Sequence, residues 1–349
     1  MTSVENSPVV HPSRPMRIGI VGTGLMGEQH AGNVFRRGNV ATLAAVADAD
    51  ADRAAGVAAR YGGARAYTDG YELIAADDID AVIIASPDVT HAALATACVR
   101  AGKPVLCEKP LATTIDDARA VVQAEAAATA GSGKRLIQLG FMREFDPAHV
   151  AVRDAVRSGA IGRPVMFRGS HLNPFQYGEA TLQTIITQAM VHDFHSARFL
   201  LGREIVEVYC RWMPLRDDTP QSIRFATAMC TMDDGSIALI DVNAVATYGY
   251  EVSAEVTGEL GTAVTALPQH AAIRLDGQCR TDVTPNWGVR FAEAYRIELD
   301  AWLDSLVSGV PVGPGAWDGY AANAVAAAAI RSALANRPEP VELGERPTL

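Results

Sequence analysis

The sequence predicts an α/β protein, in which a doubly wound parallel sheet is followed by an α+β domain with an open, mainly antiparallel sheet. Three observations support this fold class. A glycine-rich loop follows a short apolar strand near the start of the chain, and apolar runs then alternate with helical segments as far as Leu139. Beyond Gly140, strand-like segments follow one another on short turns. Alternation is typical of parallel sheets, and consecutive strands are typical of antiparallel ones.

The first domain is predicted over residues 16–139, after a tail of residues 1–15 that is rich in proline and polar residues and is expected to be disordered. Its strands are expected at Ile18–Val21, Thr42–Ala47, Ala81–Ala85, Val105–Cys107 and Leu136–Leu139. Alanine-rich segments between these strands predict the helices. Thr113 and Thr114 resemble the N-cap of a helix that reaches Ala130, and Asp69 precedes a shorter amphipathic stretch.

The second domain is predicted over residues 140–349. Helices are expected at Pro147–Ser158, Thr184–Leu201, Trp287–Ser308 and Trp317–Ala335. Strands are expected at Val165–Ser170, Ile205–Trp212, Ile223–Met232, Ser236–Ala244, Glu251–Gly258 and Gly261–Ala266, with a loop at Asn173–Gly178. Turn residues such as Asp233, Asp234 and Gly235 separate neighbouring strands, which favours antiparallel pairing.

Composition excludes several classes of function. The chain has 40 acidic and 30 basic residues and a formal net charge of −10, without the lysine and arginine clusters that follow a phosphate backbone. The acidity is explained by solubility, although steering of a cationic substrate would also fit. No apolar run is long enough to span a bilayer, and the five cysteines are scattered. We therefore expect a cytoplasmic protein with neither nucleic acid nor membrane as a partner.

The glycine-rich loop Gly22-Thr23-Gly24-Leu25-Met26-Gly27 has the G-x-G-x-x-G pattern of dinucleotide-binding loops. In such a loop the first glycine permits the tight turn, the second lets the backbone approach the pyrophosphate, and the third lets the helix close on the strand. Free amide groups at the start of the helix then face the anion. Together with its preceding strand, the loop predicts a Rossmann domain that binds a dinucleotide through the three glycines, Leu25 and Met26.

Asp48 ends the second predicted strand, where a carboxylate can accept hydrogen bonds from the adenosine ribose and would repel a 2′-phosphate. This predicts NAD rather than NADP. The alternative is that Asp48 caps the helix that starts near Ala51. Ser86, Pro87 and His91 follow the third strand at the carboxyl edge of the sheet, where open α/β folds bind ligands. We assign them to the rim of the cofactor site.

Several motifs resemble those of the Gfo/Idh/MocA family of oxidoreductases, which includes glucose-fructose oxidoreductase and inositol dehydrogenase. The resemblance runs from Met16 to about Leu343 and rests on the glycine loop, Ser86-Pro87, Gly102–Pro110, Gly140–Asp146, Asn173-Pro174, His192–His195 and Tyr248–Glu251. Trp317–Tyr320 is most similar to the myo-inositol dehydrogenase branch. The resemblance implies a Rossmann domain, an open-sheet domain, and a dimer or tetramer built on the outer face of that sheet.

The resemblance also implies which residues perform the chemistry. Lys109 lies between Glu108, assigned to the cofactor site, and Pro110, and in similar enzymes the bond before this proline is cis and the lysine points at the nicotinamide. An ammonium there can stabilise the alkoxide that forms from the reacting hydroxyl. The family places the general base at His192, and imidazole titrates near neutrality. The alternatives are a surface lysine in a salt bridge and a structural histidine.

Two positions depart from the inositol dehydrogenase pattern. Gln188 stands where an aspartate precedes the histidine base, and His195 stands where a second aspartate contacts substrate hydroxyls. One helical turn apart, Gln188 and His192 are expected to share a face, and a neutral amide can orient the imidazole but contributes little charge stabilisation. His192 and His195 could instead form a metal-binding pair, but the sequence offers no evident third ligand and we predict no metal.

The resemblance assigns Met142, Arg143, Asn173 and Tyr250 to the substrate site, beside Gln188 and His195. Such donors and acceptors suit a polyhydroxylated ring, although structural hydrogen bonding would equally explain Asn173 and Tyr250. We therefore predict NAD-dependent oxidation of a secondary alcohol of a cyclitol or sugar. Because two acids are replaced, we expect a modified inositol, an amino-sugar or an aminoglycoside-type substrate rather than myo-inositol. The alternatives are a myo-inositol 2-dehydrogenase proper, a non-catalytic NAD-binding regulatory protein, and a reductase of a keto-sugar or imine.

Overall fold

The computed structural model describes residues 14–174, 181–214, 223–266 and 272–348. The tail predicted at residues 1–15 lies outside these ranges except for Arg14 and Pro15, and the loop predicted at Asn173–Gly178 is described only as far as Pro174. Arg14 donates two hydrogen bonds to the Asp80 carboxylate, at 2.6 and 2.9 Å. The end of the predicted tail is therefore attached to the first sheet.

The first sheet has six parallel strands: β1 (Met16–Val21), β2 (Ala41–Ala47), β3 (Arg65–Tyr67), β4 (Ala81–Ile84), β5 (Val105–Glu108) and β6 (Ile137–Gly140). Their order is β3-β2-β1-β4-β5-β6, so the order reverses between β1 and β4 and leaves a crevice at the carboxyl ends of these strands. The predicted Rossmann sheet is confirmed. The sequence missed β3 because this three-residue edge strand is partly exposed and contains no apolar run.

Five helices connect these strands: α1 (Leu25–Arg36), α2 (Ala51–Arg60), α3 (Gly70–Ala75), α4 (His91–Arg100) and α5 (Ile115–Thr129). The predicted cap at Thr114 is observed, and Asp69, which precedes the predicted amphipathic stretch, also caps a helix. The Asp69 side chain accepts a hydrogen bond from the Tyr71 amide at 2.7 Å, and the Thr114 hydroxyl accepts one from the Asp117 amide at 3.1 Å. These bonds satisfy amide groups that the first turn of a helix leaves unpaired.

Within its described residues, the second part of the chain adds nine strands: β7 (Pro164–Leu172), β8 (Ile205–Pro214), β9 (Ile223–Met232), β10 (Ile237–Asn243), β11 (Glu251–Gly258), β12 (Thr262–Val264), β13 (Ala272–Leu275), β14 (Gln278–Thr281) and β15 (Glu339–Pro340). Seven form a sheet in the order β12-β11-β7-β10-β9-β8-β15, and β13 and β14 form a separate hairpin. All pairs in the large sheet are antiparallel except β7 and β10. The prediction of a mainly antiparallel open sheet is confirmed.

The helices of this part are α6 (Pro147–Arg157), α7 (Leu182–Thr184), α8 (Val191–Leu201), α9 (Trp287–Arg290), α10 (Ala292–Ser308) and α11 (Ala316–Ala335). Between α7 and α8 lies a π-helical segment, Ile185–Met190, so the single helix predicted at Thr184–Leu201 has a different hydrogen-bond pattern in its first half. Such π turns change which side chains share a face. In the described ranges, no helix combines the length and apolar character needed to cross a bilayer.

Helix α10 packs against the first sheet although it lies late in the chain. Its residues Leu299, Trp302 and Leu303 form one buried cluster with Ile18 of β1 and Leu106 of β5. The boundary predicted near residue 139 lies in β6, the last strand of the first sheet. Helix α10 comes after this boundary in the chain but packs on the first sheet.

Candidate active site

A cavity of about 1560 Å³ opens at the carboxyl ends of the first sheet and reaches the second sheet. It exceeds the roughly 300–1,000 Å³ of common small-ligand sites, which suits a dinucleotide together with a second, smaller molecule. All the site residues predicted from the sequence line it except Gly27, Arg143 and His195.

The glycine loop has the geometry that a dinucleotide requires. Gly22 has a φ of +91°, and a Cβ atom there would lie 2.4 Å from the Ser86 nitrogen. At Gly27 a Cβ atom would lie 1.8 Å from the Gly22 oxygen, so this glycine lets α1 close on β1 without itself facing the cavity. At Gly24 a Cβ atom would meet nothing within 4 Å, because it would project into open space at the start of α1. The loop therefore leaves room for a pyrophosphate at the helix N-terminus.

Asp48 is fixed beside this loop. Its Oδ2 accepts hydrogen bonds from the amide and hydroxyl of Thr23 at 2.8 and 2.9 Å, and its Oδ1 accepts one from the Asp50 amide at 3.0 Å. Helix α2 is capped by Asp50, whose side chain accepts from the Arg53 amide at 3.1 Å. The alternative that Asp48 caps this helix is therefore wrong, and its carboxylate is held at the cavity wall.

We expect Asp48→Ser to change the cofactor preference. The loss of carboxylate hydrogen bonds to the ribose should raise the KM for NAD about tenfold. The Arg53 guanidinium, whose Nη1 lies 3.6 Å from Asp48, would remain to attract a 2′-phosphate, so NADP should become usable. Steady-state kinetics with both cofactors measure the ratio, and Asp52→Ser on the exposed side of α2 is the control. An unchanged NAD to NADP ratio in Asp48→Ser would contradict this role.

Hydrogen bonds hold both sides of the Lys109 loop. The Lys109–Pro110 peptide bond is cis, as the resemblance implies. His91 is buried, and its Nδ1 and Nε2 lie 2.7 and 2.8 Å from the carbonyl oxygens of Pro110 and Ser86. The histidine assigned to the cofactor rim thus connects two loops that border the cavity.

Glu108, also assigned to the cofactor site, is anchored on the other side of Lys109. Its Oε1 lies 2.8 Å from Nε2 of His30 on α1, and both side chains are buried. Glu108 lines the cavity, so one carboxylate connects the cofactor loop region with the strand that carries the lysine.

Lys109 lies half-buried in the cavity wall. Its Nζ donates to the side-chain oxygen of Gln188 at 2.9 Å and to the Gln188 carbonyl oxygen at 3.2 Å. Burial lowers the pKa of Lys109, and the nearby Asp88 and Glu108 partly offset this effect. An ammonium can donate three hydrogen bonds, so these two contacts leave one N–H for a ligand. The partners are an amide and a carbonyl, which argues against the alternative of a surface salt bridge.

His192 faces the same cavity from α8. Its Nδ1 is buried with no hydrogen-bond partner in the described ranges, which leaves Nε2 as the nitrogen available to a substrate. The Phe141 ring and the imidazole meet edge to face, with the ring centroids 5.8 Å apart. Burial, followed by the positive charges of Lys109 and Arg143, holds the pKa of His192 well below its ordinary value. The ring is therefore neutral near pH 7, as a base must be.

Gln188 does not orient His192, contrary to the sequence-based expectation. Its side-chain nitrogen donates to Oδ2 of Asp88 at 2.5 Å while its oxygen accepts from Lys109. Gln188 lies in the π-helical segment, where the α-helical spacing on which the expectation rested does not apply. Its amide therefore faces the lysine and the first domain.

Arg143 lies behind the cavity wall rather than in it. It is buried and pairs with the Asp193 carboxylate at 2.5 Å, and Asp193 Oδ2 lies 3.1 Å from Nδ1 of His171. The other ring nitrogen of His171 lies 3.2 Å from the Tyr250 hydroxyl. Burial raises the pKa of Tyr250 to about 12, so its phenol stays protonated. His171 and Tyr250 line the cavity, and Arg143 supports them from behind.

His195 also lies outside the cavity, so its assignment to the substrate site is not supported. Its Nε2 lies 2.8 Å from Oε1 of Glu144, and its ring stacks on Phe141 with centroids 4.0 Å apart. Three residues after His192 on α8, its side chain packs into the interior instead. Among the described residues, no three histidine, cysteine or acidic side chains are grouped to hold a metal ion.

Among the cavity residues that sequence reasoning missed, four bear on the reacting part of the site: Asp88, His171, Trp287 and Tyr295. Trp287 and Tyr295 meet edge to face, with centroids 5.9 Å apart, and form an aromatic wall close to Met26. A histidine near the end of an otherwise alternating strand could have indicated His171. No local pattern distinguishes the other three, because their contribution depends on how distant segments pack.

Comparison with known proteins gives the cavity its context. Residues 16–131 match the family described as "Oxidoreductase family, NAD-binding Rossmann fold", and residues 149–264 match the GFO/IDH/MocA C-terminal domain. An inositol 2-dehydrogenase of Rubrobacter xylanophilus is 44% identical over 344 residues, which cover 97% of this chain and 96% of the relative. The chain belongs to the Gfo/Idh/MocA family. Inositol 2-dehydrogenase 1 of Saccharopolyspora erythraea is 42% identical, over 96% of this chain and 98% of its own.

Solved structures of similar proteins agree with membership of the Gfo/Idh/MocA family. A myo-inositol dehydrogenase from Lactobacillus casei, in complex with NAD(H) and myo-inositol, superposes with a TM-score of 0.90 at 30% identity, covering 96% of this chain and 99% of its own. A scyllo-inositol dehydrogenase from the same species, with NAD(H) and scyllo-inositol, gives 0.85 at 25% identity, over 94% and 99%. As a Gfo/Idh/MocA protein, the chain is an NAD-dependent oxidoreductase, as its motifs predicted.

Proposed function

We propose that this protein oxidises a ring CH–OH group of an inositol with NAD, using Lys109 and His192 as its catalytic residues. The observation that supports this most is that the lysine N–H and the histidine Nε2 are presented to one cavity, beside a loop with room for a pyrophosphate. The inositol substrates of the relatives at 44% and 42% identity support the substrate class.

In the proposed reaction, Lys109 stabilises the developing negative charge and His192 accepts the proton. Bound NAD supplies the acceptor for the hydrogen and two electrons that leave the carbinol carbon. The free N–H of Lys109 donates to the substrate oxygen and stabilises the negative charge that develops there. Neutral His192 takes the hydroxyl proton at Nε2, which leaves a ketone and an imidazolium. Because burial disfavours the imidazolium, the ring then releases this proton readily.

The remaining cavity groups suit a polyhydroxylated ring. Asn173 and the protonated phenol of Tyr250, which His171 holds in place, present polar groups at the second sheet, and Trp287 provides an apolar surface. Such a mixture matches a cyclitol, which has hydroxyl edges and apolar ring faces. In this arrangement the second sheet selects the substrate, and the first sheet holds the cofactor.

A substrate panel tests the proposal directly. NADH formation at 340 nm would be measured with myo-, scyllo- and chiro-inositol, with O-methylated inositols, with inosamines and with aminoglycosides. We expect the highest kcat/KM with an inositol. The expectation of an amino-sugar was based on the replacement of two acids, by Gln188 and His195. Because His195 lies outside the cavity, only the replacement at Gln188 still supports that expectation. A higher kcat/KM for an inosamine or aminoglycoside would favour that substrate class, and no turnover of any cyclitol would contradict the proposal.

We also propose that the protein is a homo-oligomer built on the outer face of the second sheet. Phe225, Met229 and Ile237 are exposed on β9 and β10, while the alternating residues Ala226, Ala228, Cys230 and Ala238 are buried on the other face of the sheet. Neighbouring large apolar side chains on one sheet face are typical of a surface that another chain covers. Light scattering after size exclusion should give a dimer or tetramer, and Met229→Lys should shift it toward the monomer.

A further inference from the structure

A chain of hydrogen bonds connects Lys109 through Gln188 to Asp88, a residue that the proposed mechanism does not use. A carboxylate is the usual partner of a catalytic ammonium, yet both acceptors of Lys109 in the described ranges are neutral oxygens of Gln188. The hydrogen-bonded chain continues, because the Gln188 side-chain nitrogen donates to Asp88. Asp88 belongs to the first domain and Gln188 to the second, 100 residues apart. The chain of bonds therefore spans the cavity.

The chemistry of the three groups allows only one orientation of the amide. Lysine can only donate hydrogen bonds, and a carboxylate can only accept them. The Gln188 oxygen must therefore face Lys109 and its nitrogen must face Asp88, which is the arrangement observed. In such a head-to-tail chain, each bond polarises the next. Without Asp88, the amide would lose the partner that fixes its orientation, and its NH₂ group could rotate toward the ammonium.

The backbone that carries Asp88 is held in place. It starts the short 3₁₀ turn Asp88–Thr90, in which the Thr90 amide and hydroxyl donate to the Pro87 oxygen at 2.8 and 2.7 Å. The hydroxyls of Ser86 and Thr90 lie 2.6 Å apart. The Asp88 carboxylate thus has a defined position at the edge of the cavity.

We propose that Asp88 is a positioning residue for catalysis: it fixes the orientation of the Gln188 side chain and places a carboxylate on the far side of that amide from the Lys109 ammonium. This inference rests on the role proposed for Lys109. Other charged groups also act on this lysine: Glu108 favours its protonated form and Arg143 disfavours it. The neighbouring imidazoles of His171 and His192 are neutral near pH 7, because burial lowers the pKa of each.

Two substitutions at Asp88 separate charge from orientation. Asp88→Asn keeps an oxygen that can accept from Gln188 but removes the charge, so the titration of Lys109 and the alkaline limb of kcat should both move to lower pH. Asp88→Ala removes charge and acceptor together and should also lower kcat about tenfold at the pH optimum. KM should change less than kcat, because the group acts on the lysine rather than on the bound ring. Thermal unfolding and the Kd for NAD would be measured for each variant.

Gln188→Asp provides the decisive control, because it places a carboxylate in reach of Lys109 without Asp88. In that background, Asp88→Asn should move the titration of Lys109 by less, because the new carboxylate itself favours the ammonium and only the direct charge of Asp88 is lost. If Asp88 had only a structural role, Asp88→Asn would lower the melting temperature equally in both backgrounds. It would not change the pH dependence of kcat. An unmoved titration in Asp88→Asn, or the same shift with and without Gln188→Asp, would overturn the proposal.

The titration of Lys109 can be read without any substrate. The chain has lysines only at Lys103, Lys109 and Lys134, so trace acetylation with acetic anhydride across pH, followed by mass spectrometry, resolves each one. The exposed Lys134 is the internal reference, and its titration should be the same in all variants. This readout distinguishes the two proposals: if no cyclitol is turned over, the proposed function fails while the Asp88 proposal is still decided by the labelling.

Discussion

Lys109→Met is expected to lower kcat by roughly 100- to 1,000-fold, the usual loss when a group that stabilises a developing oxyanion is removed. Methionine has a similar length, so the variant removes the charge and the N–H donors rather than the volume. The Kd for NAD should change little, because the Gly22–Gly27 loop and Asp48 are untouched. Single-turnover kinetics with NAD and the best inositol would measure the chemical step.

Lys134→Met is the matched control for this variant. Lys134 is exposed, and it lies in the loop before β6, away from the cavity. It should retain wild-type kcat and KM. A Lys109→Met enzyme with kcat within a few-fold of the control would show that the lysine does not stabilise the reacting oxygen.

His192→Asn is expected to lower kcat by roughly 100- to 10,000-fold, the range for removal of a general base. The effect should depend on pH in a specific direction. Oxidation requires neutral His192, whose pKa burial holds well below its ordinary value, so wild-type kcat/KM should fall only well below pH 6.5. It should fall again at high pH, where Lys109 loses its proton, and this limb lies below the ordinary lysine value because burial lowers the Lys109 pKa.

The residual activity of His192→Asn should therefore lack the acid limb and rise with hydroxide concentration. His195→Asn serves as the comparison, since His195 packs on Phe141 and pairs with Glu144 outside the cavity. It should lower the melting temperature while leaving the KM for the cyclitol unchanged. An acid limb that persists in His192→Asn would assign the base to another residue, with His171 as the next candidate in the cavity wall.

The departures that the sequence showed at Gln188 and His195 have different meanings in the structure. Both replace acids of the inositol dehydrogenase pattern, so the sequence alone treats them as two changes in one substrate site. In the folded chain, Gln188 bonds to Lys109 and Asp88, and His195 is directed away from the cavity. One departure concerns the catalytic lysine, and the other concerns packing in the interior.

Local sequence patterns were sufficient to predict the Rossmann sheet, the glycine loop, the position of Asp48 and the motif that contains Lys109. These features depend on residues that are close together in the chain, where apolar periodicity and the conformational freedom of glycine act directly. Short strands without an apolar run, such as β3, were not predicted even in this part of the chain. The family resemblance added His192, which no local pattern would have distinguished from a structural histidine.

Which atoms meet in the cavity depends on contacts between residues that are far apart in the chain. The contact of Lys109 with Gln188 joins residues 79 positions apart, and the contact of Gln188 with Asp88 joins residues 100 apart. The π-helical segment placed Gln188 there by breaking the spacing that an α-helix would keep. Arg143 lies behind the wall, where its buried guanidinium pairs with the Asp193 carboxylate and lies 3.2 Å from Nδ1 of the neutral His171. Such pairings follow from desolvation and packing across the whole fold, which local sequence patterns do not encode.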